Sequence, residues 1–237
     1  MRSLAIITGA SRGIGKSIAL ELSKYQFDFS LVARNPEKLK NIEDELTGKG
    51  AEVLSLPLDL EKDNTASLIV DQTISHFGKI DVLINNAGIA LNKPVLESNF
   101  SLWNKLFSVN VRTPYFLCQE SLPHLKKSPK PVIINMGSVV DHKGYINQSI
   151  YAASKHALAG FTSVLAKEVQ KDGIRVHLIS PGGVNTEMVT GVRPDLDTSE
   201  LIDPGEIANI VAFLCNYSGK GTIDQIKIRR FNSLPFD

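Results

Sequence analysis

Cysteine is nearly absent from this sequence: Cys118 and Cys215 are the only two, and they fall in separate apolar helical patterns. That excludes a disulfide framework, and neither stands at metal-ligand spacing, so the pattern fits a reducing compartment and no metal site. Histidine adds no metal signal either. His76, His124, His156 and His177 lack ligand spacing, and His142 reads as a loop residue. No uninterrupted apolar run is long enough to cross a bilayer. The first eight residues are too short for the apolar region of a signal peptide and lack its cleavage site, so a soluble cytoplasmic protein is expected. Charge of one sign is also missing. The formal net charge is +1, with basic and acidic residues interspersed, which argues against a nucleic-acid stripe or an acidic tail. Repeats, low-complexity tracts and linkers are absent, so the 237 residues, 43% of them hydrophobic, are expected to form one domain spanning 1–237.

What the chain does contain is a regular alternation. Short apolar, strand-like runs cover residues 4–8, 27–33, 51–58, 80–84, 132–136, 174–179 and 222–228. Helical patterns cover residues 16–22, 36–49, 61–77, 100–127 (bent near Pro114), 149–171 and 204–215, with residues 89–97 and 187–203 as loops. Polar and glycine motifs stand at the ends of the strands. That order predicts an α/β fold, a doubly wound parallel sheet in three layers, with ligands bound beyond the carboxyl ends of the strands.

The first strand runs into Gly9, Ser11, Arg12, Gly13, Ile14 and Gly15, and a helical pattern follows. A strand, a glycine turn and a helix start make an anion site, because free N–H groups and the helix dipole face a phosphate. The glycines are spaced Gly-x-x-x-Gly-x-Gly rather than Gly-x-Gly-x-x-Gly. The second strand ends on Arg34, where an acid would suit NAD and an arginine suits NADP. With Arg12 it offers two guanidinium groups to a 2′-phosphate, so NADP(H) is preferred over NAD(H). Asp59, followed by Leu60 at the end of the third strand, could accept from an adenine amino group or cap the next helix. Asn110, among apolar neighbours, is expected to be buried with its amide satisfied.

In the pattern over residues 149–171, Tyr151 and Lys155 are four apart and share a helix face. A close ammonium favours the phenolate, so the tyrosine is expected to titrate below its usual 10 and to work as an acid/base catalyst. Ser138, just past the fifth strand, could offer a hydroxyl to the same substrate oxygen.

Taken together, these motifs, with Asn86, Ala87 and Gly88 after the fourth strand and Pro181, Gly182, Val184 and Thr186 after the sixth, resemble the short-chain dehydrogenase/reductase family across nearly the whole chain. The resemblance implies a Rossmann-like fold and a nicotinamide cofactor. It makes Tyr151 the general acid, and Lys155 the residue that holds the nicotinamide ribose and acidifies the phenol. Ser138 becomes the orienting group for the substrate oxygen, and Asn110 the holder of a water leading from Lys155 to solvent. Residues 86–88 would line the cofactor and stabilise the central sheet, and residues 181–186 would position its carboxamide and pyrophosphate. Val140, Tyr145, Gly183, Met188 and Val192 are candidates for a small substrate pocket.

Two departures stand out. Many relatives carry a second serine where this chain has Gly137, which removes a hydroxyl and bulk near the substrate. The end of the last strand reads Ile226 to Arg230 instead of an aspartate and paired glycines, which puts the usual tetramer in doubt and leaves a dimer through residues 100–127 and 149–171. The leading expectation is an NADPH-dependent reductase of a ketone or aldehyde. A 3-oxoacyl reductase acting on acyl carrier protein is a second reading, with Lys126, Lys127 and Lys130 offered to the acidic partner; it is disfavoured by Asp172, which stands where such reductases are often basic. A non-catalytic NADP-binding sensor is the third.

Overall fold

The structure is a computed structural model and describes residues 2–193 and 195–235; the last two residues of the C-terminal tail lie outside the described residues. Seven strands form one sheet in the order β3-β2-β1-β4-β5-β6-β7. They are β1 (Ser3–Thr8), β2 (Phe27–Ala33), β3 (Val53–Pro57), β4 (Val82–Asn85), β5 (Val132–Met136), β6 (Arg175–Pro181) and β7 (Gln225–Ile228). Every pairing is parallel. The helices are α1 (Gly13–Leu22), α2 (Pro36–Thr47), α3 (Thr65–Phe77), α4 (Phe100–Phe107), α5 (Thr113–Leu125), α6 (Ser149–Glu168), α7 (Glu187–Val192) and α8 (Pro204–Asn216).

Because side chains alternate along a strand, β1 feeds both faces. Ala5 and Ile7 pack with Ile18, Leu39 and Val211 under α1, α2 and α8. Leu4 and Ile6 pack with Ile69, Leu117 and Leu165 under α3, α5 and α6. The result is the expected three-layer α/β fold, with the strand order reversing between β1 and β4. Parallel strands buried on both faces need apolar residues at nearly every position, which is why these runs were continuous in the sequence. Cys118 and Cys215 are free and buried in these layers, and burial pushes both thiols up to about 12. No helix among the described residues is long and apolar enough to cross a membrane.

Several boundaries differ from the sequence reading. α3 starts at Thr65 rather than at residue 61, because the Asp59 and Leu60 carbonyls are taken by the hydroxyls of Thr65 and Thr113, both at 2.7 Å. The long helix expected over residues 100–127 is two helices joined by a π turn at Ser108–Arg112. The last strand is short, starting at Gln225, and residues 187–202 hold α7 and a 3-10 turn instead of a plain loop.

Candidate active site

The carboxyl ends of β1 to β7 open into one cleft of about 1480 Å³, lined by Gly9, Ser11, Arg12, Gly13, Ile14, Arg34, Asp59, Leu60, Asn86, Ala87, Gly88, Ser138, Val140, Tyr145, Tyr151 and Lys155, and by Pro181, Gly182, Gly183, Val184, Thr186, Met188 and Val192. Gly15 and Asn110 act from behind this wall. A Cβ on Gly15 would lie 2.3 Å from the Gly9 carbonyl oxygen, so the turn closes only around a bare backbone. Gly9 itself has φ +67°. Asn86 clamps the turn: its Nδ2 donates to the Thr8 carbonyl at 2.9 Å, while the Thr8 hydroxyl accepts from the N–H groups of Asn86 and Ala87 at 3.1 and 3.0 Å. Arg12 is the N-cap of α1 and supplies no side-chain acceptor to it. The first N–H groups of the helix therefore face the cleft with no side-chain cap, which fits a dinucleotide pyrophosphate. Thr186 caps α7 and rests its methyl against Gly13, 3.0 Å from where a Cβ would sit.

At the end of this cleft beside the glycine turn stand Arg12, Arg34 and Lys38. Lys38 was missed in the sequence; its signal was a cation in the first turn of a helix opened by Pro36, one turn past the end of β2. Glu187 pairs with Arg12 and, at 3.6 Å, with Lys38, and these cations hold its carboxyl below the ordinary value. Arg34 reaches Glu61 at 3.9 Å. Asp59 accepts from the Glu61 N–H at 3.1 Å and does not cap α3, whose N-cap is Asn64.

At the other end, Tyr151 and Lys155 project from α6. Ser138 caps the 3-10 turn Val139–Asp141 and lines the same wall of the cleft as the Tyr151 phenol. The expected acidification of that phenol by lysine is not what the geometry gives. Burial pushes Tyr151 above its ordinary value, the neighbouring Ser138 hydroxyl pulls it back, and the Asp141 carboxylate adds to the rise. The Lys155 ammonium instead donates to the Met136 carbonyl at 2.7 Å, and it lies 3.6 Å from where a Cβ on Gly88 would stand. Burial pushes Lys155 down to about 8, with Asp141 opposing.

Asn110 is fully buried and both ends of its amide are hydrogen-bonded. Oδ1 accepts from the Ile89 N–H at 2.9 Å, and Nδ2 donates to the Ile89 carbonyl at 2.9 Å and to Ser154 Oγ at 3.0 Å. It ties the loop after β4 to α6, beside the turn that carries Tyr151 and Lys155. Asn86 and Ala87 tie the end of β4 to Thr8 of β1, and Asn85 adds a second link across the sheet: its Nδ2 donates to Asn135 Oδ1 at 2.8 Å while Asn135 donates to Thr162 at 2.9 Å.

The space above Gly137, expected to be open, is filled by the Asp141 carboxylate; a Cβ there would lie 2.3 Å from its Oδ2. Lys126, Lys127 and Lys130 are not at the mouth. They precede β5 and so stand at the amino edge of the sheet, where Lys126 pairs with Asp172 at 3.0 Å and Lys130 donates to the Asn216 carbonyl at 2.6 Å. The C-terminal tail, unassigned in the sequence, lines the cleft with Arg229, Arg230, Ser233 and Leu234. Arg229 tethers it by donating to the carbonyls of Arg230, Phe231 and Ser233 at 3.1, 2.8 and 2.8 Å. Among the described residues no group of histidine, cysteine and acidic side chains could hold a metal ion.

A family model described as short chain dehydrogenase matches residues 3–197. The chain is 35% identical over 219 residues to carbonyl reductase family member 4 of Xenopus tropicalis, covering 90% of this chain and 91% of that protein. It is 30% identical over 229 residues to the 3-oxoacyl-[acyl-carrier-protein] reductase FabG of Staphylococcus epidermidis, covering 93% and 94%. The solved structure of an alcohol dehydrogenase from the archaeon Thermococcus sibiricus, complexed with 5-hydroxy-NADP, superimposes with a TM-score of 0.91 over 99% of both chains at 26% identity.

Proposed function

The chain belongs to the short-chain dehydrogenase family, and from that premise we propose that it is an NADPH-dependent reductase that turns a ketone or aldehyde into an alcohol. The observation that carries the reading is the meeting of the Ser138 hydroxyl, the Tyr151 phenol and the buried Lys155 ammonium on one wall of a cleft whose far end holds Arg12, Arg34 and Lys38. A cleft of about 1480 Å³ exceeds the ~300–1,000 Å³ of ordinary ligand sites, which suits a dinucleotide beside a small substrate.

NADPH, when bound, supplies the hydride that adds to the carbonyl carbon. The glycine turn and the start of α1 would hold its pyrophosphate, and Arg12, Arg34 and Lys38 its 2′-phosphate. Ser138 orients the substrate oxygen by donating to it, and Tyr151 gives that oxygen its proton. A phenol that burial keeps protonated is suited to act as the acid. Lys155, charged below about pH 8, would stabilise the phenolate left behind and would hold the nicotinamide ribose. Val140, Tyr145, Gly183, Met188 and Val192 would bound the substrate.

A 3-oxoacyl substrate is the second reading, favoured by the relative from Staphylococcus epidermidis and by Lys227, Arg229 and Arg230 in the cleft wall, where an anionic carrier or headgroup would be attracted. Dimerisation through α5 and α6, whose Tyr115, Phe116 and Val164 are exposed, is part of the proposal. The test is a carbonyl-compound screen with NADPH and NADH on the wild type and on Tyr151→Phe. Turnover with NADPH, a lower efficiency with NADH, and loss of turnover in Tyr151→Phe with cofactor affinity within a few fold are expected. Retained turnover in that variant would remove Tyr151 as the acid.

A further inference from the structure

The side chain of Asp141 is completely buried inside the wall that carries Ser138, Tyr151 and Lys155. Its Oδ2 accepts from the Ser180 hydroxyl at 2.5 Å and from the Ser138 N–H at 3.2 Å, and its Oδ1 stands 2.7 Å from His142 Nδ1. Ser180 is held in turn by Gln225 Nε2 at 3.2 Å. These contacts come from β6, which β7 backs through Gln225, and from the turn Ser138–His142, so the carboxylate is built into the wall from more than one side. It passes so close to the chain at residue 137 that only glycine fits, since a Cβ would lie 2.3 Å from Oδ2 and 3.0 Å from both Ser180 Oγ and Leu178 Cδ1. The pair Gly137 and Asp141 is one steric unit.

Burying a carboxylate is costly unless it is hydrogen-bonded and paired. The titratable groups that face it are Tyr151 and Lys155 from α6 and the adjoining His142; β6 and β7 present the neutral Ser180 and Gln225. Its Oδ2 lies against Gly137, the residue after Met136, whose carbonyl takes the Lys155 ammonium at 2.7 Å, and from there its charge disfavours a phenolate at Tyr151 and favours the ammonium at Lys155. Both effects keep a proton on the catalytic pair.

We propose that Asp141 is a positioning residue of this site, whose buried carboxylate is the counter-charge of the Lys155 ammonium and biases Tyr151 toward giving a proton to a substrate oxygen over taking one from an alcohol. This rests on the reductase reading and extends it to the direction and pH range of the reaction. The carboxylate acts through Tyr151 and Lys155 and contacts no substrate.

The sign follows from Coulomb's law. Removing the negative charge lets the Tyr151 phenol, and the Lys155 ammonium, lose a proton at lower pH. Reduction needs both protons, so its rate falls as pH rises, and in Asp141→Asn the fall comes earlier. That variant keeps the size and an oxygen acceptor for Ser138 and Ser180.

Two readouts decide the matter. In the first, the pH profile of NADPH-dependent reduction of ethyl acetoacetate is compared between wild type and Asp141→Asn. The alkaline limb is expected to move to lower pH, lowering the rate midway along it several-fold, while the turnover number for alcohol oxidation with saturating NADP⁺ and alcohol at neutral pH gains relative to that for reduction. In the second, ultraviolet titration of the cofactor-free protein, with Tyr151→Phe as the blank, follows the Tyr151 phenol directly; its midpoint is expected to fall in Asp141→Asn. An unmoved limb together with an unmoved phenol midpoint overturns the proposal. If the wild type reduces no carbonyl compound the reductase reading falls, and the phenol titration still decides on Asp141. Should Asp141→Asn fail to fold, the exchange Gly137→Ala with Asp141→Gly removes the same charge and refills the space, and the same movements are required of it.

Discussion

Lys155 concentrates the conflict at the scale of single residues. The residue is 3% exposed, and a buried cation is costly unless something answers it. The Met136 carbonyl and the Asp141 charge answer it in part, yet its titration still falls from 10.5 to about 8. The folded protein therefore loses this proton at lower pH than the unfolded chain. Between pH 8 and 10.5 the unfolded state binds more protons, and stability attributable to Lys155 rises with pH across that window. The stability difference between wild type and Lys155→Met, from denaturant unfolding at a series of pH values, is expected to grow in favour of the wild type from pH 8 upward. A flat difference would mean that the lysine is not desolvated in the fold. Tyr151 shows why spacing alone misjudged this pair. Four residues on a helix bring two side chains to one face, but which partner each one touches depends on Met136, Ser138 and Asp141, which come from other elements.

At the scale of elements, the π turn between α4 and α5 has a cause visible in the sequence. An α-helix would have the N–H of residue 114 donate to the Asn110 carbonyl, but residue 114 is proline and has none. The chain widens instead, with the Thr113 N–H bonding to the Ser108 carbonyl. Such single π turns recur at functional sites, and this one delivers Asn110 to Ile89 and Ser154 behind the helix that carries Tyr151 and Lys155. Pro114→Ala restores the missing donor. It is expected to lower turnover several-fold, because Asn110 shifts in register, while the melting temperature stays within a few degrees or rises. Unchanged turnover would show that the turn is held by its neighbours and not by the proline. The sequence reading placed a bend here but expected a continuous helix, because the apolar period runs on through both α4 and α5. Lys126, Lys127 and Lys130 teach the converse: they are near Ser138 in the chain, yet a whole strand separates the edge they occupy from the cleft.

On the scale of the whole molecule, the cleft is closed from one side by elements late in the chain. α7 carries Glu187 to the glycine turn, where it pairs with Arg12 and Lys38, and the tail lays Arg229 and Arg230 along the same opening. Glu187 holds two of the cations offered to a 2′-phosphate, so it competes with that phosphate and with no part of NADH. Glu187→Gln is expected to tighten NADPH binding several-fold and to leave NADH binding nearly unchanged, as read by fluorescence titration of each cofactor. Equal changes for both would place the 2′-phosphate elsewhere. The pairs are solvent-exposed, so the gain should shrink as salt is added.

The strand and helix order, the glycine turn and the presence of Ser138, Tyr151 and Lys155 at strand and helix ends were legible in the sequence by itself. They depend on local rules: apolar period, glycine where a backbone must come close, and four-residue spacing on a helix face. What only the tertiary structure decided is where the charges stand relative to one another. Asp141 over Gly137, Lys38 beside Arg12, and Glu187 across from both are meetings between segments far apart in the chain or folded back on it. A carboxylate has no preferred partner until the fold brings one near and removes the water between them.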